Sequence, residues 1–450
     1  MRTKDIKNNT FDVLTLIKPL WYFHLNYEVA EESNDFEPLF KLDKDYDSIN
    51  SAKLEMKFIL LMNGFNCEKE KVRQLTLSCI NHRPSTKDEF RFARKHFNIG
   101  WSLVYLIYRL ITLKNPLSSI LYFFQALMHK YKSNFGLDHG STTIVDNFQC
   151  KLIKNKSHVR IIIPTYNRYE CLNALLNDLQ KQDYLNFSIT IVDQSRPFNE
   201  SFYEKFNLDI ELIHQENPAL WYARNKAILN SNEEFIALLD DDSRINSDWI
   251  SKHLKCLDYY NADVSAGISI SSYGSKIPKN YAYYRIADQF DTGNAMLRRY
   301  VFQSCGLFDE QYEGMRKGDA EFGIRIFRNG FLSISNPEAK RIHLKFAFGG
   351  LRQMGSWDSL RPTNVFDPRP IPSVLYFSRT YFGDKRAVKY LVSSIPFSMT
   401  KVRYKSNKFF ILISVFITLI FLPFILVQIV RSWIVSTKML KAGPKIPKIV

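Results

Sequence analysis

No acidic residue follows Asp384 in this sequence of 450 residues. The net charge of +16 is therefore concentrated at one end: seven Lys/Arg lie in 385–408 and five in 431–450, twelve of the sixteen excess charges. That placement argues against a nucleic-acid-binding role, which needs a basic face on a folded domain. Cysteine is sparse too. Cys67, Cys79, Cys150, Cys171, Cys256 and Cys305 are scattered without a CxxC pair. This excludes a disulfide framework or a zinc ribbon and points to a reducing compartment. The stretch MRTKDIKNNTFDVLTLIKPL lacks a long apolar h-region, so no cleaved leader is expected. Internal repeats and low-complexity tracts are missing. The length predicts two or three domains, and a hydrophobic share of 46% supplies a sizeable core.

Between the two basic blocks lies FFILISVFITLIFLPFILVQIV, 409–430, 22 residues without a charge. A helix of that length, at about 1.5 Å per residue, covers roughly the 30 Å of a bilayer core. Pro423 is expected to kink it, which membrane helices tolerate. Basic flanks suit anionic headgroups, but being basic on both sides they do not set an orientation. A crossing helix and a helix that dips in and returns both fit, and a buried core helix is the bland reading. The expected order is a helical region over 1–150, an α/β domain over 158–360, a basic juxtamembrane region over 361–408, a membrane helix over 409–430 and a basic tail over 431–450.

The first 150 residues read as helical. SINSAKLEMKFILLMNGF predicts a helix ending at Gly64, and STKDEF offers a capping box, Thr86 with Glu89. WSLVYLIYRLITLKNPLSSILYFFQALMHKYK, 101–132, reads as two apolar helices broken at Asn115–Pro116. Arg109 and Lys114 argue against a full span, so these helices either pack on the core or lie at a membrane surface. NFGLDHGSTT, 134–143, reads as a polar linker.

From His158 strands alternate with helices. VRIII (159–163) and EFIALL (234–239) read as buried strands, and SITIV (188–192) and DIELIH (209–214) as two further strands between them. Leu172, Leu175, Leu176 and Leu179 share one helical face between the first two. PALWYARNKAIL (218–229) reads as a helix with Pro218 at its start. Alternation of this kind predicts a mostly parallel sheet sandwiched by helices, with ligands beyond the carboxyl ends of the strands. Asp193 and the run Asp240–Asp241–Asp242 stand at such ends. Three adjacent carboxylates repel and raise one another's pKa, so a cation is expected there. Hard oxygen ligands suit Mg²⁺ or Mn²⁺, completed by water and substrate phosphates. The competing reading is a helix cap, for which one aspartate suffices.

VRIIIPTYNRYECLNALLNDL, ITIVDQS, WYARNKAI, FIALLDDDS and TGNAMLRRYVFQSCGLFDEQYEGMRKGDAEFGIRIFRNG, in this order and spacing, resemble glycosyltransferase family 2 over about residues 158–345. The resemblance implies a nucleotide-diphospho-sugar transferase (GT-A type) fold, a nucleotide-sugar donor, a divalent metal on the diphosphate and inverting transfer. It puts Pro164, Thr165 and Tyr166 in the nucleotide pocket, Asp193 at the nucleobase, and Arg224 and Asn225 beside the nucleotide. Asp240 and Asp242 match the outer residues of the metal motif, and His343 matches a histidine that completes the metal shell in some members. Asp319 takes the position of the general base and Glu321 is the nearby second carboxylate. Two departures stand out: Gln194 where a second acid is common, and Gly318 where a glutamate commonly precedes the base. Beside these roles stand the plainer ones: Arg224 as a helix-surface charge, Asp319 as a cap, His343 as a core histidine. GGLRQMGSWD, 349–358, reads as a loop, either mobile over the site or simply at the surface.

The mechanism implied has Asp319 take the acceptor proton while the metal neutralises charge on the leaving nucleotide. A nucleotidyltransferase would want a glycine-rich phosphate loop after the first strand, and PTYNRYE has none. A non-catalytic membrane scaffold is the other alternative. The expected partners are a nucleotide sugar, a saccharide or lipid-linked saccharide acceptor and membrane lipids. The expected place is a membrane, a bacterial inner membrane by context, with the catalytic domain on its cytoplasmic side.

Overall fold

The computed structural model of the chain describes residues 11–17, 42–63, 82–129, 143–271, 283–287, 290–346, 350–351, 360–362, 364, 366–399 and 408–449. Most of the linker 134–143 and of the loop 349–358 lies outside these, as do Cys67 and Cys79. The described cysteines, Cys150, Cys171, Cys256 and Cys305, are free. The chain divides into two compact units, one of residues 1–65, 70–138 and 378–423, the other of 66–69, 139–377 and 424–450. The helical N-terminal region is thus completed by residues from near the other end of the chain.

In the first unit lie α1 (Ile49–Asn63), α2 (Thr86–His96), α3 (Ile99–Ile111) and α4 (Pro116–Ala126). The break at Asn115–Pro116 is as expected, Pro116 standing where a missing N–H costs nothing; Gly64, the expected end of α1, lies outside the described residues. The cap of α2 differs. Ser85, not Thr86, is the N-cap and accepts from the Asp88 amide. Glu89 is turned away and accepts from the amides of Asp12 and Val13 at the other end of the unit's sequence. The core stacks Phe11 on Phe92 at 3.8 Å, with the Phe58 edge on Phe92.

The second unit is built on one sheet: β1 (Val159–Thr165), β2 (Phe187–Asp193), β3 (Ile210–His214), β4 (Phe235–Leu239), β5 (Ser243–Ile245), β6 (Val264–Ser271), β7 (Arg285–Ile286), β8 (Asn294–Arg298) and β9 (Ser333–His343). Its order is β3-β2-β1-β4-β8-β6-β9-β5, with β7 on β9. The half expected from sequence, β3 to β4, is parallel throughout. Beyond it β8 runs antiparallel to both β4 and β6, and β5 antiparallel to β9, so the sheet is mixed. The strand–helix alternation that forces parallel pairing stops at β4. Helices α5 (Tyr169–Leu179), α6 (Leu220–Leu229), α7 (Trp249–Tyr259), α8 (Arg299–Cys305) and α9 (Gly318–Arg328) belong to this unit. Leu172, Leu175, Leu176 and Leu179 are buried, as their spacing predicts.

Helix α10 (Pro372–Ser398) is broken at Gly383, whose φ of 79° ends the regular turn, and the division between units falls within it. The uncharged run 409–430 is not one helix. It folds as α11 (Lys408–Ile420) and α12 (Leu422–Ala442), divided at Phe421. Pro423 is the second residue of α12, a position that needs no amide donor, so it starts a helix instead of kinking one. Among the described residues, the segment long and apolar enough to cross a membrane is Leu422–Ala442, with 21 residues. The expected basic tail is therefore helical to Ala442. Beyond it Pro447 O accepts from Leu307 N, Lys445 O accepts from Glu310 N, and Lys445 N donates to Asp309 Oδ1 at 2.8 Å.

Candidate active site

The carboxyl ends of β1, β2 and β4 stand in register. Thr165 pairs with Asp193, and Ile162 with Leu238, which carries Asp240–Asp242 up to the turn after β1. The cation that the three aspartates require is supplied first by the chain itself. Arg224 of α6, wholly buried, donates to Asp240 Oδ1 and also to the Thr292 carbonyl. Arg341 of β9 donates to Asp240 Oδ2 at 2.9 Å and with its other nitrogen to Asp291 at 3.1 Å. Arg168 reaches both Asp241 and Asp242 at 3.2 Å. Leaving such a buried carboxylate without its partner typically costs about 3–5 kcal/mol. Gly293 makes the central pair possible, since a Cβ there would stand 2.1 Å from the Arg341 guanidinium and 2.2 Å from Asp240 Oδ2.

Each aspartate is left with a different environment. Asp240 has both oxygens engaged by guanidinium ions. Asp241 is buried under Thr165, whose Oγ1 donates to it at 2.9 Å. Burial pushes its carboxyl up to about 7, against the pull of Arg168. Asp242 is the one paired with an imidazole: its Oδ2 lies 3.2 Å from His343 Nε2. Burial works against its ionisation, but the hydrogen bond and charge of His343 hold the carboxyl below the usual range. The register explains this meeting. Ser243 pairs with His343 across β5 and β9, and Leu344 N donates to the Asp242 carbonyl.

Among the described residues no group of three His, Cys, Asp or Glu is placed to hold a metal ion. The pair Asp242–His343 nonetheless fits one. Neighbouring ligands of an octahedral ion, each about 2.1 Å away, stand roughly 3 Å apart, close to the 3.2 Å between Asp242 Oδ2 and His343 Nε2. A carboxylate and an imidazole suit Mn²⁺, and such ions complete their shells with water and phosphate oxygens.

The other expected residues divide. Pro164 and Thr165 are buried at the end of β1, and Tyr166 is half-buried beside them. Gly350, at φ +88°, donates its amide to the Tyr166 carbonyl and lies against Arg168, where any Cβ would stand 2.4 Å from the guanidinium. Asp193 is wholly buried and already committed: it accepts from the Ser195 amide and from the hydroxyls of Tyr169 and Tyr203 at 2.8, 2.7 and 2.8 Å. Burial and this carboxylate push Tyr169 up to about 12, so it remains a donor. Gln194 Oε1 accepts from Gln215 and from the Ala219 amide at the start of α6. Asn225 brackets residue 308, donating to its carbonyl and accepting from its amide, both at 2.9 Å. It positions the 308–310 segment.

Asp319 is half-buried in the first turn of α9, where its Oδ1 accepts from the Ala320 amide at 2.8 Å. Glu321, the expected second carboxylate, is turned inward and both its oxygens accept from Arg325, each at 2.9 Å. Gly318 explains the missing family glutamate: a Cβ there would stand 2.4 Å from the Trp221 ring. That ring donates to the Tyr312 carbonyl at 3.0 Å and lies under the Arg224 guanidinium at 5.4 Å. A packed chain thus links Asp319, through Gly318, Trp221 and Arg224, to Asp240. Glu313, from the same 306–321 segment, caps α6 by accepting from the amides of Leu220, Trp221 and Tyr222. Beside it opens a cavity of about 570 Å³ walled by Gln215, Tyr222, Lys226, Glu310 and Glu313. Sequence reasoning missed Arg168, Arg341 and Asp291. The first stands inside PTYNR and the second two residues before His343, but nothing local marks either as a partner of the aspartates.

Comparison with known proteins agrees with the resemblance read from the sequence. Residues 160–319 match the profile of "Glycosyl transferase family 2". A curated relative, the poly(ribitol-phosphate) beta-N-acetylglucosaminyltransferase TarS of Staphylococcus aureus, is 29% identical over 111 residues, 23% of this chain and 19% of its own. The chain thus spans about a fifth of that relative's length. The dTDP-rhamnosyl transferase RfbF of Shigella flexneri is 27% identical over 211 residues, 42% of this chain and 69% of its own. The solved structure of S. aureus TarS 1–349 superposes with a TM-score of 0.39 at 17% identity, covering 56% of this chain and 75% of that one. The match to glycosyl transferase family 2 thus covers residues 160–319 of the chain.

Proposed function

We propose that the chain transfers a sugar from a nucleotide-diphospho-sugar to an acceptor hydroxyl by a single, inverting displacement that depends on Mg²⁺ or Mn²⁺. The observation that carries this reading is the pairing of Asp242 with His343 at the carboxyl end of the parallel strands, beside the turn Pro164–Tyr166. Asp242 and His343 are the residues that would hold the metal. The ion would neutralise negative charge developing on the leaving diphosphate. Arg168, beside the same carboxylates, offers a second positive charge to that group. Arg224 and Arg341 fix Asp240, so that the floor of the site does not reorganise as charge moves.

Asp319 takes the proton from the attacking hydroxyl. Its Oδ1 accepts from the Ala320 amide, and its outer oxygen is the one proposed to meet the acceptor. The cavity beside Glu310 and Glu313 lies on the same segment, and the acceptor is proposed to enter there. No covalent nucleophile is needed, since one displacement inverts the anomeric carbon. The names of the two relatives, one acting on poly(ribitol-phosphate) and the other on a dTDP-rhamnosyl donor, support an acceptor that is a growing or lipid-linked surface saccharide. The helix Leu422–Ala442 supports attachment of the chain to a membrane. The test is a thermal-shift screen of nucleotide sugars with Mn²⁺ and Mg²⁺, followed by hydrolysis of the stabilising donor without acceptor. A chain that shows no stabilisation by any nucleotide sugar with either metal, and no turnover, is a scaffold and not an enzyme.

A further inference from the structure

The helical pair α3–α4 is built inside out. Its polar groups point inward: Ser102, Tyr105, Arg109 and Ser119 are all buried. The Arg109 guanidinium, far from facing water, donates to Ser119 Oγ, Tyr105 OH, Thr86 Oγ1 and the Lys114 carbonyl at 2.8–3.1 Å. The outward positions are apolar. On α3 they are Ile99, Leu103, Ile107 and Ile111, one stripe at a spacing of four. On α4 they are Leu117, Ile120, Leu121 and Phe124, with Leu117 83%, Leu121 63% and Phe124 61% exposed. In water the hydrophobic effect drives the opposite arrangement, and an outer face this apolar on two neighbouring helices marks an interaction surface.

We propose that this face is buried in one leaflet of a lipid bilayer, as a monotopic attachment separate from the C-terminal helix. Neither helix can cross: 13 and 11 residues make about 20 and 17 Å, short of the roughly 30 Å required. A helix whose satisfied polar side faces protein and whose apolar side faces outward lies in the plane of the interface. Two further observations select lipid over a protein partner. In the same unit α11 also presents large apolar side chains outward, Phe409, Phe416, Leu419 and Ile420 among them, so the exposure is a property of the unit and not of one patch. The sequence after α4, HKYK at 129–132, and that before α11, KVRYKSNK at 401–408, are basic, complementary to anionic headgroups. This inference does not rest on the proposed chemistry.

The experiment is photo-crosslinking in the full chain, reconstituted in vesicles of phosphatidylethanolamine and phosphatidylglycerol. Leu121→p-benzoylphenylalanine and, separately, Leu117→p-benzoylphenylalanine place the reagent on the outward face. Leu185→p-benzoylphenylalanine, at a lone apolar position equally exposed in the other unit, is the control on the same anchored chain. Mass spectrometry of the irradiated peptide is expected to show lipid adducts at 117 and 121, at least about tenfold above those at 185, as the partitioning of one large aliphatic group implies. Crosslinks from 121 to a second copy of the chain, no lipid adduct, or equal adducts at 185 would each overturn the proposal.

Discussion

Replacing Gly318 by alanine adds one methyl group and should damage the site more than its size suggests. The new carbon would stand 2.4 and 2.6 Å from two atoms of the Trp221 ring, far inside van der Waals contact, so the ring must move. It cannot move freely. Its Nε1–H is bonded to the Tyr312 carbonyl, its amide is bonded to Glu313, and Arg224 lies over its face. Overpacking of this kind costs about 1–3 kcal/mol, and the lost indole bond about 0.5–1.5 kcal/mol. Together these give about 2–4 kcal/mol, or a fall of roughly 5–15 °C in the melting temperature of a unit this size. The assay is thermal unfolding followed by near-UV circular dichroism, with Trp221→Phe alone and combined with Gly318→Ala. Phenylalanine lacks the outer ring that the methyl group would strike, so the two substitutions should be non-additive, with the double variant recovering at least about 1 kcal/mol. Additive losses, or a Gly318→Ala chain that melts like the wild type, would refute the reasoning. Gly318→Glu, which restores the residue common in the family, should be no better than Gly318→Ala.

Asp242→Asn should weaken nucleotide-sugar binding in Mn²⁺ by on the order of tenfold or more and leave metal-free binding unchanged, which calorimetry with and without chelator measures. Asp319→Asn is nearly isosteric, so donor and metal affinity should stay near normal while transfer falls by about 10²–10⁴; a loss of donor binding instead would put Asp319 on the donor. His253, held between Ser265 and Asn294, is pushed by burial down to about 3. Because its folded value lies below the unfolded one, near 6.5, the unfolded chain binds the extra proton. Stability of this unit should therefore fall as pH drops from about 6.5 toward 3, and His253→Gln should flatten that limb of the urea-midpoint profile. Asp309→Ala removes the acceptor of the Lys445 amide and of the Tyr376 hydroxyl, and should make the chain after Lys441 or Lys445 more susceptible to limited trypsin digestion.

Local pattern was enough for the parallel half of the sheet. The four strands read from apolar runs appear within one or two residues of their expected limits, because the runs of β1, β2 and β4 are buried and each strand is bounded by a turn. The second half was not legible, since β8 pairs antiparallel to both its neighbours and that pairing is set by tertiary packing. Charge and hydropathy misled at the C-terminus. The run 409–430 is uniform in composition, yet it is cut at Phe421 and its second part continues to Ala442, because the burial of Ile425, Gln428, Ser432, Ser436 and Met439 recurs at helical spacing through residues that look polar from the sequence. Residues 378–423 join the first unit, and contacts that distant in sequence leave no local signal.

The three aspartates show where such reading stops. A run of like charges correctly demands positive charge, but it does not say from where. Arg168, Arg224 and Arg341 come from a loop, a helix and a strand separated by as many as 173 residues of chain, and only the register of β4, β5 and β9 brings them to one point. Once they are there the run ceases to be a unit. Asp240 is neutralised by two guanidinium ions, Asp241 is driven toward its protonated form beneath Thr165, and Asp242 keeps its charge beside a histidine. The triple repeat therefore holds one group that fixes the floor, one that is buried, and one, paired with a histidine, that we propose meets a metal. A substitution at each should separate them. Asp240→Asn should lower stability, as breaking a buried charge pair does. Asp242→Asn should lower metal-dependent donor affinity with little change in melting temperature. If the two variants instead lose stability and affinity in the same proportion, the aspartates act as one cluster and the division of labour drawn from their partners is wrong.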